Sequence, residues 1–432
     1  MNQKKSIRWC FGLLATTAVG VVCLTVIDLK AVTPGWFRSQ SQVPMARKVV
    51  RGEPVDAGEF LDSRDLPIKL TPIPSGITVS DIDISLALCA SLPHWNPPTV
   101  PSMMHALRLW GVESEFTNEM VGLPVTGALM RDALLSDRQC AKRTLGGDSE
   151  YLTETPYGVA VTRINSDAAR HYRGEAHFGQ LLKVLAETGA PLSAAVETRS
   201  GKLMSVRDIL RHAVLRFPEA NELEFIGIAL GLYLPPQKAW VDQFGVTHDF
   251  DELVVRLIEQ PLGEGACGGC HLPYTVAVIV RVDEQQAILS AAIRDKAIAW
   301  LTDVSRRLEV AVSSEDGSVT NWAANSPKSP WNDDVLDQIA LTGHHLEWIA
   351  IAPRGVRPSE QTVNQLILRL SDSLAALPEI RIRSFKTLLP CSHAARALCL
   401  LRNIQPHLAW RQLWDEKRII RSKRMGFELG RL

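Results

Sequence analysis

Two kinds of helical segment alternate along the chain from about residue 80 onward. One kind is amphipathic. VRDILRHAVLRF sets Val206, Ile209, Leu210, Val214 and Phe217 on a single stripe, and FDELVVRLI does the same with Phe250, Leu253, Val254, Leu257 and Ile258. Residues 287–308 and 362–377 repeat the pattern, which is that of a helix with one face in water. The other kind is apolar nearly all round: LEFIGIALGLYL at 223–234, LPYTVAVIV at 272–280, LEWIAIA at 346–352 and AARALCLL at 394–401. Such helices must be buried on every side. TVAVIV alone is ambiguous between strand and helix; its place in the alternation predicts helix.

The buried segments also resemble one another. ELEFIGIA at 222–229 lies over HLEWIAIA at 345–352 without a gap, and HLPYTVAV at 271–278 fits the same frame. HAARALCL (393–400), HFGQLLKV (177–184) and HALRLWGV (105–112) join through their apolar positions. The aligned first positions form a column of His105, His177, Glu222, His271, His345 and His393, at intervals of 72, 45, 49, 74 and 48 residues. Three intervals sit near 47, and the two long ones hold insertions rich in Gly, Pro, Ser and Asn at roughly 138–168 and 312–335. One buried and one amphipathic helix per period make a helical-hairpin repeat. An open solenoid of such hairpins leaves one face of its array in water, whereas six hairpins closed into a ring bury the inner helices completely. The expected fold is therefore all-α, an α/α toroid of about six helical hairpins over residues 76–432.

Ahead of the repeat, Lys4, Lys5 and Arg8 precede WCFGLLATTAVGVVCLTVI, nineteen uncharged residues from Trp9 to Ile27. As a helix this segment spans about 28 Å, close to the hydrocarbon thickness of a bilayer. The positive charges assign residues 1–8 to the cytoplasm. DLKAVTPGW offers a poor cleavage site, so residues 9–27 read as an uncleaved transmembrane signal-anchor, with the body on the extracytoplasmic side. Residues 28–75 carry Pro34, Pro44, Pro54, Pro67, Pro72 and Pro74 among many charges, the composition of an extended stalk. Beyond the inner membrane, partners are limited by charge. The 47 basic and 47 acidic residues balance, and no basic stripe with interleaved aromatics marks a nucleic-acid binder. Eleven Trp against five Tyr suit a cleft that stacks a saccharide or polyprenyl-like ligand, as well as a core.

The column supplies the candidate chemistry. In a closed ring, inner helices that start in one register open on one mouth of the cavity, and Glu224 and Glu347 should lie about half a turn deeper. Helix N-termini lower imidazole pKa values and attract anions. His177, His271, His345 and His393 are thus candidate proton-transfer groups, as are Glu224 and Glu347, two residues beyond the column in otherwise apolar frames. A carboxylate on a buried helix needs a partner or a raised pKa, as a general acid or base has. His344 precedes Glu347 by three residues, which puts both on one helix face, and Asn221 and Glu224 repeat that pairing. Capping of helices and hydrogen bonds between them would use the same residues without any chemistry.

Cys267-Gly-Gly-Cys270-His271 spells the covalent haem c attachment motif. In the repeat, however, His271 is the column residue of the fourth hairpin and Gly268–Gly269 form the turn into its helix. The spacing therefore favours a helix start over a haem site. Cys267 and Cys270 also suit a disulfide or helix-activated thiols, or zinc held with His271 and a further column histidine.

TGHHLEWIAIA (342–352) resembles the Gly-His-x-x-Glu-Trp helix start of N-acylglucosamine 2-epimerase-like proteins. That resemblance implies a six-hairpin α/α barrel acting on sugars through histidine acids and bases, with His344 and Glu347 facing the cavity. SSEDGSVTNW (313–322) is similar to a worn Gln-Trp turn repeat of terpenoid cyclases, which are also toroids, although no acidic proton-donor motif of that family accompanies it. The function expected is that of a membrane-anchored, exported toroid acting on a saccharide or other elongated substrate by His/Glu acid–base chemistry. The alternatives are a non-catalytic toroidal binding or scaffolding domain and a c-type haem protein.

Overall fold

The alternation of wholly apolar and amphipathic segments becomes two shells of helix. The computed structural model describes residues 64–415, apart from 74–75, 93–97, 119–122, 145–149, 165–172, 218–219, 221, 236–237, 264, 314–318, 320–321, 324–333 and 378–384. The helices are α1 (Asp81–Ala90), α2 (Val100–Trp110), α3 (Gly127–Leu134), α4 (Asp137–Arg143), α5 (Gln180–Glu187), α6 (Val206–Leu215) and α7 (Glu224–Tyr233). After these come α8 (Phe250–Ile258), α9 (His271–Gln286), α10 (Ala291–Ser313), α11 (Val335–Ile351), α12 (Glu360–Ala375), α13 (Phe385–Leu401) and α14 (Pro406–Asp415). TVAVIV falls inside α9 and is helical.

The inner helices contact each other in sequence order: α2 against α5, α5 against α7, α7 against α9, α9 against α11 and α11 against α13. α13 then packs on α2, so the contacts close into a ring. All ten residues of α7 are buried, as are residues 339–351 of α11. Outside them, α3 packs on α2, α6 on α5, α8 on α7 and α9, α10 on α9, α12 on α11, and α14 on α13. Outer helices begin with side-chain caps: Asp249 accepts from Glu252 N at 2.8 Å before α8, and Ser359 accepts from Thr362 N at 3.3 Å before α12. Each such bond satisfies an amide that the first turn leaves without a helical partner.

Two features depart from the sequence pattern. Among the described residues, four antiparallel hairpins interrupt the helices: β1–β2 (Glu115–Asn118, Leu123–Thr126), β3–β4 (Leu152–Thr155, Gly158–Val161), β5–β6 (Ala195–Glu197, Leu203–Ser205) and β7–β8 (Ala239–Val241, Thr247–Asp249). Three of them join an inner helix to the outer helix that follows it. They are three or four residues per strand, too short to register as alternation. The second departure concerns the stalk. Residues 64–73 belong to the folded body: Ile68 N donates to Leu232 O at 2.8 Å and Ile73 N to Ala350 O at 3.3 Å. Arg281 and Arg357 reinforce this strap, donating to Thr71 O at 3.4 Å and Ile73 O at 3.2 Å. The strap thereby satisfies carbonyls that the ends of α7 and α11 leave open. No helix among the described residues is long and apolar enough to cross a membrane; the segment 9–27 lies outside them.

α11 packs closely on α13 at Gly343. A Cβ on Gly343 would stand 2.7 Å from Ala394 N and 3.0 Å from its Cα. Gly343→Ala should therefore cost about 1–3 kcal/mol, the usual price of overpacking a filled core, read as a lowered urea midpoint. An unchanged midpoint would mean that the two helices separate freely.

Candidate functional site

Five histidines from different parts of the chain meet inside the ring. His105 of α2, His177 before α5, His271 at the start of α9, His344 of α11 and His393 of α13 line one cavity with Cys267. Their rings form a continuous arc. His344 stacks on His393 with centroids 3.6 Å apart, His105 meets His393 at 4.9 Å and His271 meets His344 at 4.9 Å. Phe225 carries the arc from His271 to His177, 4.5 Å from each. The cavity is narrow: its volume is about 30 Å³, room for a few water molecules at most.

One helical turn further along, four of these helices carry a second polar residue: Arg108, Tyr274, Glu347 and Arg396. Each stands three residues after its histidine, about 4.5 Å along the axis and on the same face. Lys183 and Glu187 of α5 complete the layer. Arg108 binds Glu187 at 2.6 Å and Glu347 at 2.8 Å. Arg396 binds the same two carboxylates at 3.1 and 3.3 Å, so the four close a cycle. Tyr274 donates its hydroxyl to Glu187, and Arg396 donates to the Tyr274 oxygen at 3.1 Å. Lys183 Nζ lies 3.4 Å from His271 Nδ1 and 4.6 Å from the Phe225 ring centroid.

This floor sets the protonation of the site. Burial, aided by repulsion from Arg108, lowers Lys183 to about 7. Burial, the largest influence, would raise Glu187 and Glu347, but Arg108 and Arg396, joined by Lys183 at Glu187 and His393 at Glu347, together outweigh it and hold Glu187 at about 2 and Glu347 well below the carboxylate range. His105, His271 and His344 are held well below the usual imidazole value by burial, and neighbouring His393 or Lys183 adds repulsion. Burial takes His393 to about 4, against the pull of Glu347, whose Oε2 accepts from His393 Nδ1 at 3.0 Å. His177 goes the other way. Burial opposes its charge, yet interactions with Cys267 and Glu222 raise it to about 10.

The column expected from the sequence is partly assembled. His105, His177, His271 and His393 share the cavity, but His344 takes the place foreseen for His345. His345 is buried on another side of α11, where Trp348 Nε1 donates to its Nδ1 at 3.1 Å and its Nε2 meets Cys270 Sγ at 3.7 Å. Only His271 begins a helix, while His177 precedes one. α2, α11 and α13 start five to nine residues before their cavity histidines, so helix-terminus electrostatics does not act on His105, His344 or His393.

The carboxylates divide by role. Glu222 accepts from His177 Nδ1 at 3.3 Å, from Phe178 N at 3.3 Å and from Arg163 at 3.0 Å. Glu347 lies in the charged floor. Glu224 faces the CGGCH turn instead: its Oε1 accepts from Ala266 N at 2.9 Å, its Oε2 has no partner, and burial raises its pKa. α5, α7 and α9 begin without side-chain caps on their own N-cap residues. At the start of α5 buried Glu175 serves instead, accepting from Gly179 N at 2.9 Å and Leu181 N at 3.1 Å. Asn221 lies outside the described residues.

The CGGCH turn has left-handed backbone at Cys267 (φ 53°), Gly268 (65°) and Gly269 (81°). The glycines adopt it freely, whereas Cys267 carries roughly 1–2 kcal/mol of strain. Both cysteines are free thiols. Cys267 lines the cavity, while Cys270 packs against His345. The thiols diverge and the cavity has no room for a macrocycle, so CGGCH in this conformation does not fit haem c. Sequence reasoning missed Arg108, Lys183, Glu187, Tyr274 and Arg396. The signal was present as His-x-x-polar in HALR, HLPY, HHLE and HAAR, but it emerges only when α11 is read from His344.

No family model, no curated protein and no solved structure matches this chain.

Proposed function

We propose that the closed ring is an α/α toroid and that its cavity is the active site of a membrane-anchored, extracytoplasmic enzyme performing proton transfer. The observation that carries this reading is the buried Lys183, lowered to about 7 beside four imidazoles, His105, His271, His344 and His393, that burial keeps neutral. A base poised near the working pH, over donors fixed by a rigid floor, is the equipment of general acid–base catalysis. Lys183 would take the proton, the imidazoles would relay or return it, and the Arg108–Arg396 pair would stabilise developing oxyanion charge. A saccharide with an acidic carbon–hydrogen bond beside a carbonyl fits this chemistry. The narrow cavity requires that the mouth open before it enters. The segment 9–27 would hold the body at the membrane.

Proton nuclear magnetic resonance should detect solvent deuterium entering such a substrate from a panel of reducing and N-acylated sugars. Lys183→Met should slow that exchange by about 10²–10⁴-fold, the usual contribution of a general base. One feature favours the rival, a non-catalytic scaffold: the Arg108–Glu187–Arg396–Glu347 cycle is fully paired without a ligand. Absence of exchange across the panel, with no sugar raising the melting temperature, would decide for the scaffold.

A further inference from the structure

We propose that Cys267, His271 and His344 form a three-ligand zinc site open to the cavity. The donor atoms of these buried residues lie within 4.8 Å of one another. A tetrahedral zinc holds thiolate and imidazole donors about 3.4–3.6 Å apart, so side-chain rotation alone brings the three onto one ion. His344 supplies a second, independent observation. Its Nδ1 meets the Ala340 carbonyl at 2.6 Å. A carbonyl only accepts, so Nδ1 carries the proton and Nε2 presents a bare lone pair. That atom has no hydrogen-bond partner, in a residue only 4% exposed. A buried acceptor without a donor is costly. An imidazole anchored through one nitrogen to a backbone carbonyl, with the other free, is the arrangement that metal-ligating histidines take.

The donor set selects the metal. One thiolate and two imidazoles suit zinc, whereas hard cations need oxygen. The nearby carboxylates are engaged elsewhere, Glu222 with His177 and Glu347 with Arg108 and His393. Cys270 is turned toward His345 and leaves the set at three. Three protein ligands with an open fourth position mark a catalytic rather than a structural zinc. His393 and Lys183 line the same cavity, where a zinc held by these three ligands would polarise a bound oxygen. The inference shares its cavity with the acid–base reading, but it is tested by metal binding rather than by turnover.

Full-length protein purified in detergent should contain about one zinc per chain by elemental mass spectrometry. After chelator treatment it should take up one cobalt(II), giving tetrahedral d–d absorption and a thiolate-to-cobalt charge-transfer band. Cys267→Ser should abolish that band, and Cys270→Ser should keep it. His344→Gln should weaken zinc binding by at least about 10–100-fold, the loss that even an outer-shell partner causes. Circular dichroism verifies that each variant is folded. Metal-free protein that takes up no cobalt overturns the site, as does a charge-transfer band that survives Cys267→Ser. Stoichiometric zinc without any deuterium exchange leaves the site standing and sinks the acid–base reading; exchange at full rate in protein unable to bind metal does the reverse.

Discussion

Acidification from pH 6.5 toward 4.5 is expected to unfold this protein, before most carboxylates protonate. The cause is the set of buried neutral imidazoles. His393 is lowered to about 4 and His345 to about 3, chiefly by burial, and burial also holds His105, His271 and His344 well below their ordinary value. In the unfolded chain each titrates near 6.5. Between these limits the unfolded state binds protons that the folded state refuses, so stability falls with pH by about 1.4 kcal/mol per pH unit per proton. Buried Glu175, raised to about 7 by burial, offsets one of these protons over the same range, and the remainder removes about 10 kcal/mol within two units, comparable to the roughly 5–15 kcal/mol of a typical domain. Glu187 and Glu347, whose folded pKa values are depressed, add to the loss only below about 4.5, when their unfolded counterparts begin to protonate. Above pH 7 the curve should flatten. Lys183 at about 7 gains stability as pH rises toward its unfolded value near 10.5, while His177 at about 10 loses it over nearly the same interval. Urea midpoints followed by circular dichroism across pH 4–9 measure the profile. His345→Gln, remote from the cavity, should make the acid limb shallower by one proton. A midpoint unchanged between pH 7 and 4.5 would contradict the neutral-imidazole assignment.

Periodicity in the sequence marked the two helix types because burial on all sides and burial on one side leave different residues. It also placed four of the five cavity histidines in one column. The misplaced member shows the limit of register. ELEFIGIA and HLEWIAIA match in their apolar positions, but α7 begins at Glu224 whereas α11 runs unbroken from Val335 through its histidines. The matching residues therefore face different ways: Phe225 lines the cavity, while Trp348, its counterpart, turns to His345. No Gly or Pro breaks Val335–Thr342, and Asp334, not a residue beside His345, caps the helix. The charged floor was harder to read. Arg108 and Glu347 are 239 residues apart, Arg396 and Glu187 are 209 apart, and each looks like an intrusion in an apolar frame until the ring closes. Lys183, in HFGQLLKV, is likewise a charge on a buried helix, and its pKa is depressed first by that burial and then by arginines from α2 and α13.

Glu347→Ala should cost about 3–5 kcal/mol, the loss that follows when one partner of a buried ion pair is removed. Glu347 binds Arg108 at 2.8 Å, Arg396 at 3.3 Å and His393 at 3.0 Å, with its side chain 2% exposed. Its removal leaves two guanidinium groups to share Glu187, and His393 Nδ1 loses its acceptor. The positive excess falls on Lys183, for which Glu347 is one of the attractive charges, so the Lys183 pKa should drop further. Arg108→Met should be comparably destabilising for the opposite reason, since it leaves two buried carboxylates facing Arg396 alone. The double variant Arg108→Met/Glu347→Ala should lose less than the sum of the single losses, because each change removes the charge that the other strands. Urea denaturation of the four proteins gives the cycle directly. A coupling of 0.5–3 kcal/mol is expected for residues in one network. A single-variant loss below about 1 kcal/mol, as measured for exposed pairs, would mean that water reaches the floor. In that case Lys183 would not be held near 7.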